Sequence, residues 1–378
     1  MRAKISLFIV MCLLAGFGPA YAVSIETPAT HAILVDVNTG AVLLDKNADA
    51  HMPTSSMSKA MTLYMVFEML KQGQLKLDDM LPVSEKAWRM GGSRMFIKVG
   101  SKVKVEDLIR GVAIQSGNDA TVTLAEGVAG TEDALAERMN VRARELGMNN
   151  SHFVNSSGWP VPEHYSTPRD LALLAQRLLT DFPEHYHYFG EKEFTYNKIH
   201  QPNRDPLLGK LPGADGIKTG HTDIAGYGLI GSALRNGQRL ILVANGFDSE
   251  KMRAAEGARL LEWGFRNFEN RTLFKRGDPV DAAKVWLGRK DEVSLVAEKD
   301  LTVVLPVARR KEMKMTLSYT EPLEAPVRKG APVARLRIEI PDQPPVDVNL
   351  LAGADVERQG LFGRVAARFK YLQGKIRR

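Results

Sequence analysis

The sequence predicts an α/β (α+β) fold, with a mainly antiparallel sheet flanked by helices, then a small all-β domain and an amphipathic tail helix. Three observations carry this. Apolar strand-like runs near residue 35 and between residues 216 and 245 bracket a helical region, so both ends of one unit feed the same sheet. The pair Asn236-Gly237 between two apolar runs marks an antiparallel hairpin. From about Glu269 onward, short alternating segments separated by proline and glycine replace helical periodicity.

Residues 1–22 precede the fold. Arg2 and Lys4 form a basic start, Ile5 to Ala15 is apolar but too short to span a bilayer, and Ala20-Tyr21-Ala22 is a cleavage signal. Ala32 to Val37 and Ala41 to Leu44 read as a hairpin turning at Asn38-Thr39-Gly40. Ser56 to Leu70 has almost no polar face, which marks a buried helix, and Gly73 is placed to end it. Residues 105–180 read as helices joined by short loops: Val105 to Ile114, Ala120 to Val128, Thr131 to Leu146 stopped by Gly147, and a helix opened by Thr167-Pro168. Ser116-Gly117-Asn118 falls in the loop between the first two. Gly216 to Gly220, Tyr227 to Leu234 and Arg239 to Asn245 are strands, and Met252 to Phe268 closes the unit as a helix.

Beyond Glu269, Val293 to Val296, Leu301 to Val307, Met313 to Tyr319, Val333 to Ile340 and Val346 to Leu351 read as strands. No catalytic constellation is visible there. The expected division is a signal peptide over 1–22, a catalytic domain over 23–268, a small β-rich spacer over 269–352 and a tail helix over 353–378.

Composition excludes several classes. With 44% hydrophobic and 25% charged residues the chain is ordinary globular protein, and its 378 residues suffice for two cores. The single cysteine, Cys12, lies in the leader, so the mature protein is no cysteine enzyme, zinc-thiolate protein or disulfide scaffold. The net charge of +7 falls to +5 once Arg2 and Lys4 are removed, and seven basic against two acidic residues from Asp355 on account for all of it. In that tail Leu361, Phe362, Val365, Phe369, Leu372 and Ile376 recur at helical spacing opposite arginine and lysine, the pattern of a helix lying in an anionic membrane surface. The bland alternative is a helix packed on its own domain, or a solvated basic tail. Export without cysteine suits a bacterial envelope, and no nucleic acid, metal or cofactor is expected.

Three short motifs carry the chemistry. Ser56 and Lys59 are three apart at the start of the buried helix, on one face. A serine hydroxyl needs a base, and a lysine serves if desolvation or nearby positive charge, such as that of Lys218, lowers its pKa. The helix N-terminus also aims N–H groups at a developing anion. Ser116-Gly117-Asn118 alone reads as an ordinary turn. Lys218-Thr219-Gly220 offers a cation and a hydroxyl to a carboxylate, with a glycine that lets substrate lie close to the strand, although a lone surface lysine is the commoner reading.

In this order the motifs match the S-x-x-K, S-x-N and K-T-G signature of penicillin-binding proteins and class A β-lactamases. With Pro53 to Lys59, Leu108 to Gly111 running into Gln115 to Ala120, Asp215 to Thr222 with Ala225-Gly226-Tyr227, and Trp263 to Arg266, the chain resembles the low-molecular-mass D-alanyl-D-alanine carboxypeptidases over residues 25–268. The resemblance implies a β-lactamase/transpeptidase-like catalytic domain. It implies that Ser56 attacks the bond between two terminal D-alanines of a peptidoglycan stem peptide, with Lys59 as base and Ser116 as proton relay. It further implies an oxyanion hole from the backbone N–H groups of Ser56 and His221, substrate held by Asn118, Lys218, Thr219 and Gly220 with Arg253, and acylation of Ser56 by β-lactams. The expected location is the periplasmic face of the inner membrane, held peripherally. Ser55 has no lysine three residues on and is rejected as nucleophile.

Three rivals remain. A β-lactamase would use a glutamate-activated water; the nearest acid here, Glu163, has Thr167 four residues on where asparagine is expected. A D,D-endopeptidase uses the same groups. An inactive penicillin-binding scaffold would not need the complete set.

Overall fold

The computed structural model describes residues 25–361, 363 and 365. The expected signal peptide lies outside them, as does most of the tail helix.

The fold class is the predicted one. Five strands form an antiparallel sheet in the spatial order Val42–Lys46, His31–Asp36, Gln238–Phe247, Gly226–Arg235, Ala214–Thr222. The first strand pairs with the last in sequence, Ile33 opposite Val243. Alternate side chains serve opposite faces, the period of a strand. Ile33, Ile217, Ile230, Ile241 and Val243 pack on the helical layer, while Leu34, Leu229, Leu240 and Leu242 pack on Leu260 and Leu261 of the Glu250–Asn267 helix. The Asn236-Gly237 turn has positive φ at both residues, as a tight hairpin turn demands.

The helical layer contains Lys59–Lys71, Val105–Ala113, Asn118–Ala129, Glu132–Leu146 and Pro168–Asp181. Every residue from Lys59 to Phe67 is buried, as the missing polar face predicts. The Thr167 hydroxyl caps the last helix by accepting from Asp170 N–H at 3.1 Å, with Pro168 at its first position.

Three expectations need correction. Asn118 is not in a loop: Gly117 is the cap and Asn118 the first helical residue. Residues 147–167 are no short loop but a long irregular segment, held by local side-chain hydrogen bonds rather than by a periodic pattern. Residues 353–360 do not begin the tail helix. Val356 is 2% exposed and pairs with Val327 in both directions, because its side chain completes the β-rich core. The small pairs Met80–Pro82 with Lys102–Lys104 and Glu193–Tyr196 with Ile199–Pro202, and the helix Glu85–Arg89, are too short to show a period and were not anticipated.

The β-rich part holds a six-stranded sheet, ordered Lys314–Tyr319, Pro332–Glu339, Val346–Ala352, Glu292–Ala297, Pro279–Trp286, Leu323–Glu324, and a pair of Phe268–Phe274 with Leu301–Pro306. Leu295, Leu305, Leu336, Ile338 and Leu350 fill its core. Phe268–Phe274 and Pro279–Trp286 escape sequence reading because polar Glu269, Asn270, Arg271 and Asp281 interrupt their alternation.

A buried polar chain holds the turn Ser55–Ser58 at the head of the Lys59 helix. Thr54 Oγ1 meets Ser58 Oγ at 2.5 Å, and Ser58 Oγ meets His164 Nε2 at 2.7 Å. His164 Nδ1 accepts from Val154 N–H, so the proton sits on Nε2 and is donated to Ser58. Burial drives the His164 pKa down to about 4.

Two stability outcomes follow. Thr167→Ala should lower unfolding free energy by about 1 kcal/mol in a denaturant melt, through loss of the cap. A histidine kept neutral by the fold binds its proton more readily when unfolded, so its contribution is intact above about pH 6.5 and is lost as pH falls toward 4. The native enzyme should lose on the order of 3 kcal/mol over that window relative to His164→Gln, read from melts at a series of pH values.

Candidate active site

The catalytic turn is pressed against the sheet edge by two glycines. A Cβ on Gly220 would lie 2.9 Å from the Thr54 carbonyl oxygen and 3.1 Å from Ser55 Cβ. The glycine therefore admits the turn that carries Ser56, where the sequence suggested room for substrate. On the other side, Gly158 has φ +77° and a Cβ there would stand 1.8 Å from the Ser55 carbonyl oxygen. Asn155 Oδ1 accepts from the N–H groups of Ser157, Gly158 and Trp159, which shapes that segment.

Its product is a carbonyl aimed at the lysine. Lys59 Nζ lies 2.7 Å from Ser56 Oγ and donates to the Ser157 carbonyl at 2.8 Å. Lys59 is fully buried, and its pKa is held well below the usual ammonium range, first by burial, then by the charges of Lys218 and Arg204. A neutral amine keeps a lone pair for the Ser56 proton. Glu132, whose charge works the other way, is occupied with Ser156 and Lys86.

Ser116 supplies a second hydroxyl. It sits at φ +63° just before the Asn118 helix, is 2% exposed, and its Oγ has no hydrogen-bond partner among the described residues. The neighbouring Asp119 carboxylate accepts from Met95, Phe96, Ile97 and Ala120 N–H groups and so fixes the loop that roofs the site. Asn118 Nδ2 donates to the Gly91 carbonyl at 2.7 Å, tying the same loop down. Gly92 and Ser93 of that loop line the cleft, with Asn118 directly behind them.

The cleft, of about 470 Å³, is lined by Ser56, Ser116, Thr219, Gly220, His221 and Arg253, together with Arg204 and Tyr227. Lys218 lies just behind it, buried, with Nζ donating to its neighbour's carbonyl, Thr219 O, at 3.2 Å. Burial and the charges of Arg204 and Arg253 bring Lys218 down to about 7. Arg253 is 4% exposed, pairs with Glu250 and lies over the Tyr227 ring, which stacks on His221. One wall thus offers hydroxyls and an amine, and the other offers the cations Arg204 and Arg253, with Glu250 at the same wall paired to Arg253 at 2.9 Å. Ester formation and anion binding are brought to one place.

Two groups were not read from the sequence. Arg204 reaches the cleft rim and donates to Ser93 Oγ at 2.6 Å, and the Ser157 carbonyl orients Lys59. Both come from irregular segments without a motif. Ser55, rejected as nucleophile, faces Thr222 instead, its Oγ 3.3 Å from Thr222 Oγ1. Glu163 is exposed and does not line the cleft.

Comparison with known proteins agrees with this geometry. Residues 19–249 match the D-alanyl-D-alanine carboxypeptidase family (peptidase S11), and residues 268–358 match the penicillin-binding protein 5 C-terminal domain. D-alanyl-D-alanine carboxypeptidase DacC of Escherichia coli is 41% identical over 353 residues, 90% of this chain and 88% of that protein. The crystal structure of D-alanyl-D-alanine carboxypeptidase DacD from Francisella tularensis superposes with a TM-score of 0.79 at 31% identity, covering 92% of this chain and 98% of that one. Penicillin-binding protein 5 from Haemophilus influenzae superposes with a TM-score of 0.78 at 36% identity, covering 91% of this chain and 100% of that one. A hydroxyl, a buried amine beside it and a cationic wall stand on this scaffold, and the chain belongs to the peptidase S11 family of D-alanyl-D-alanine carboxypeptidases.

Proposed function

We propose that this serine-type D-alanyl-D-alanine carboxypeptidase removes the terminal D-alanine from peptidoglycan pentapeptides, with Ser56 as nucleophile and Lys59 as base. The observation that carries the reading is the Lys59 amine, buried, with its pKa held well below the ordinary ammonium range, 2.7 Å from the Ser56 oxygen. As Ser56 Oγ bonds to the carbonyl carbon its proton passes to Lys59 Nζ. Negative charge moves to the carbonyl oxygen, where the backbone N–H groups of Ser56 and His221 receive it. The C–N bond then breaks, and the proton travels from Lys59 through Ser116 Oγ to the departing amine. Lys59, neutral again, takes a proton from water; hydroxide attacks the ester, and Ser56 recovers its proton as the tetrapeptide leaves.

Lys218, Thr219 and Arg253 hold the terminal carboxylate of the substrate. This places binding charge at the leaving end of the peptide, which suits removal of a single residue bearing a free carboxylate. A β-lactam carries a strained amide and a carboxylate in the same relation, and acylates Ser56 without prompt release. The exposed position of Glu163 favours this over rapid penicillin turnover.

The chain divides into a catalytic unit over 23–268, a β-rich spacer that runs from 269 through Val356, and a basic amphipathic tail that rests on the anionic periplasmic face of the inner membrane. The tail's excess charge and apolar spacing support the last point. No helix among the described residues is long and apolar enough to cross a membrane.

Ser56→Ala should abolish both D-alanine release from a pentapeptide and labelling by fluorescent penicillin, with an unchanged thermal melt. Continued D-alanine release would overturn the assignment of the nucleophile. In flotation with anionic liposomes the mature protein should rise with the vesicles, and a version ending at residue 358 should stay behind. Equal flotation of the two would remove the tail from membrane binding.

A further inference from the structure

Tyr227 lines the cleft, and its ring touches two residues that the reaction uses. It stacks on the His221 imidazole, with ring centroids 3.9 Å apart and planes 26° from parallel. The Arg253 guanidinium carbon lies over the same ring, 5.6 Å from its centroid, within the range of a cation–π contact. The backbone fixes where this ring stands. Tyr227 pairs with His221 on one side and with Phe247 on the other. Gly226 before it has φ +67°, and a Cβ there would come 2.9 Å from the Phe247 carbonyl oxygen, so the chain enters the strand through a bend that favours glycine.

Arg253 has few other supports. Its backbone is fixed in the first turn of the Glu250–Asn267 helix, which Ser249 caps by accepting from Met252 N–H at 3.1 Å. The far end of the side chain is held less firmly. Its ion-pair partner among the described residues is Glu250, at 2.9 Å, whose side chain is 71% exposed. A pair with so exposed an acid contributes little. Arg253 Nε is buried and has no hydrogen-bond partner among the described residues. Arg204, the other arginine lining the cleft, is held differently, by Ser93 Oγ at 2.6 Å. The Tyr227 ring is thus the flat, fixed surface against which the Arg253 guanidinium lies.

We propose that Tyr227 is a positioning residue, which holds the Arg253 guanidinium ready for the substrate carboxylate and is itself steadied by the His221 stack. The inference rests on the reading of Arg253 given above. A long arginine side chain loses rotamer freedom when a ligand fixes it, and a ring that fixes it beforehand lessens that loss. Arginine suits the arrangement, because its planar, weakly hydrated cation lies flat on an aromatic face while its N–H groups stay free for a carboxylate. The aromatic ring, and not the phenol hydroxyl, supplies the effect.

The test is Tyr227→Leu in the full-length mature enzyme, assayed on two substrates: a pentapeptide ending in D-Ala-D-Ala, and an N-acylated D-alanine ester whose alcohol carries no charge. The ratio of kcat/KM for the pentapeptide to that for the ester should fall about fivefold or more, carried by KM on the pentapeptide and not by kcat. Tyr227→Phe, which keeps the ring, should restore the native ratio. In an Arg253→Ala background Tyr227→Leu should lower the ratio no further, since the group it positions is gone. An unchanged ratio, a loss carried by kcat, a phenylalanine variant as impaired as the leucine one, or an additive loss in the double variant would overturn the proposal. Tyr227→Thr, which keeps a strand-forming residue without the ring, is read the same way if the leucine variant does not fold. Failure of both to fold would assign Tyr227 a purely structural part and also overturn it. A native KM for the pentapeptide in Arg253→Ala would instead remove Arg253 from carboxylate binding, the reading on which the proposal rests.

Discussion

The structure depends on keeping one lysine dry and close to one serine. An amine in water is protonated at neutral pH and is no base. The Lys59 pKa is pushed well below the ordinary ammonium range because the Lys59–Lys71 helix is buried from its first residue and because Lys218 and Arg204 stand near it. Burial without hydrogen bonds would be unfavourable, so two polar groups meet the nitrogen: the Ser56 hydroxyl at 2.7 Å and the Ser157 carbonyl at 2.8 Å. Much of the surrounding architecture serves this arrangement. The sheet edge comes close enough to support the turn only because residue 220 is glycine, and the 155–159 segment closes over it only because residue 158 is glycine.

The same economy of charge governs the other wall. Lys218 and Arg253 are buried cations with few anionic partners, an arrangement disfavoured in an ordinary core. Arg253 lines the cleft and Lys218 lies just behind it. The binding charge also assists catalysis, since Lys218 helps to keep Lys59 neutral.

Much of this was legible beforehand for physical reasons. Ser56 and Lys59 share a helical face at a spacing of three, and a helix with no polar side has only the interior to go to. The Asn236-Gly237 turn and the Thr167 cap are local chemistry, readable from a few residues. Reading failed where structure arises from contacts distant in sequence. Residues 147–167 have no period, yet Ser157 and His164 set the base and the turn. Strands Phe268–Phe274 and Pro279–Trp286 are polar on one side and irregular, and only pairing identifies them. Val356 looked like part of a tail helix because nothing local shows that a β core awaits its side chain.

By itself the sequence determined the family, the class of fold, and the location of the excess charge, because motifs, periodicity and composition are local properties. Tertiary structure alone decided that the hydroxyls, amines and guanidinium meet around one cleft. It also decided that Lys59 is buried within 2.7 Å of the Ser56 hydroxyl. Protonation depends on desolvation and on charges a few ångströms away through space, and these distances are set by packing between segments up to two hundred residues apart.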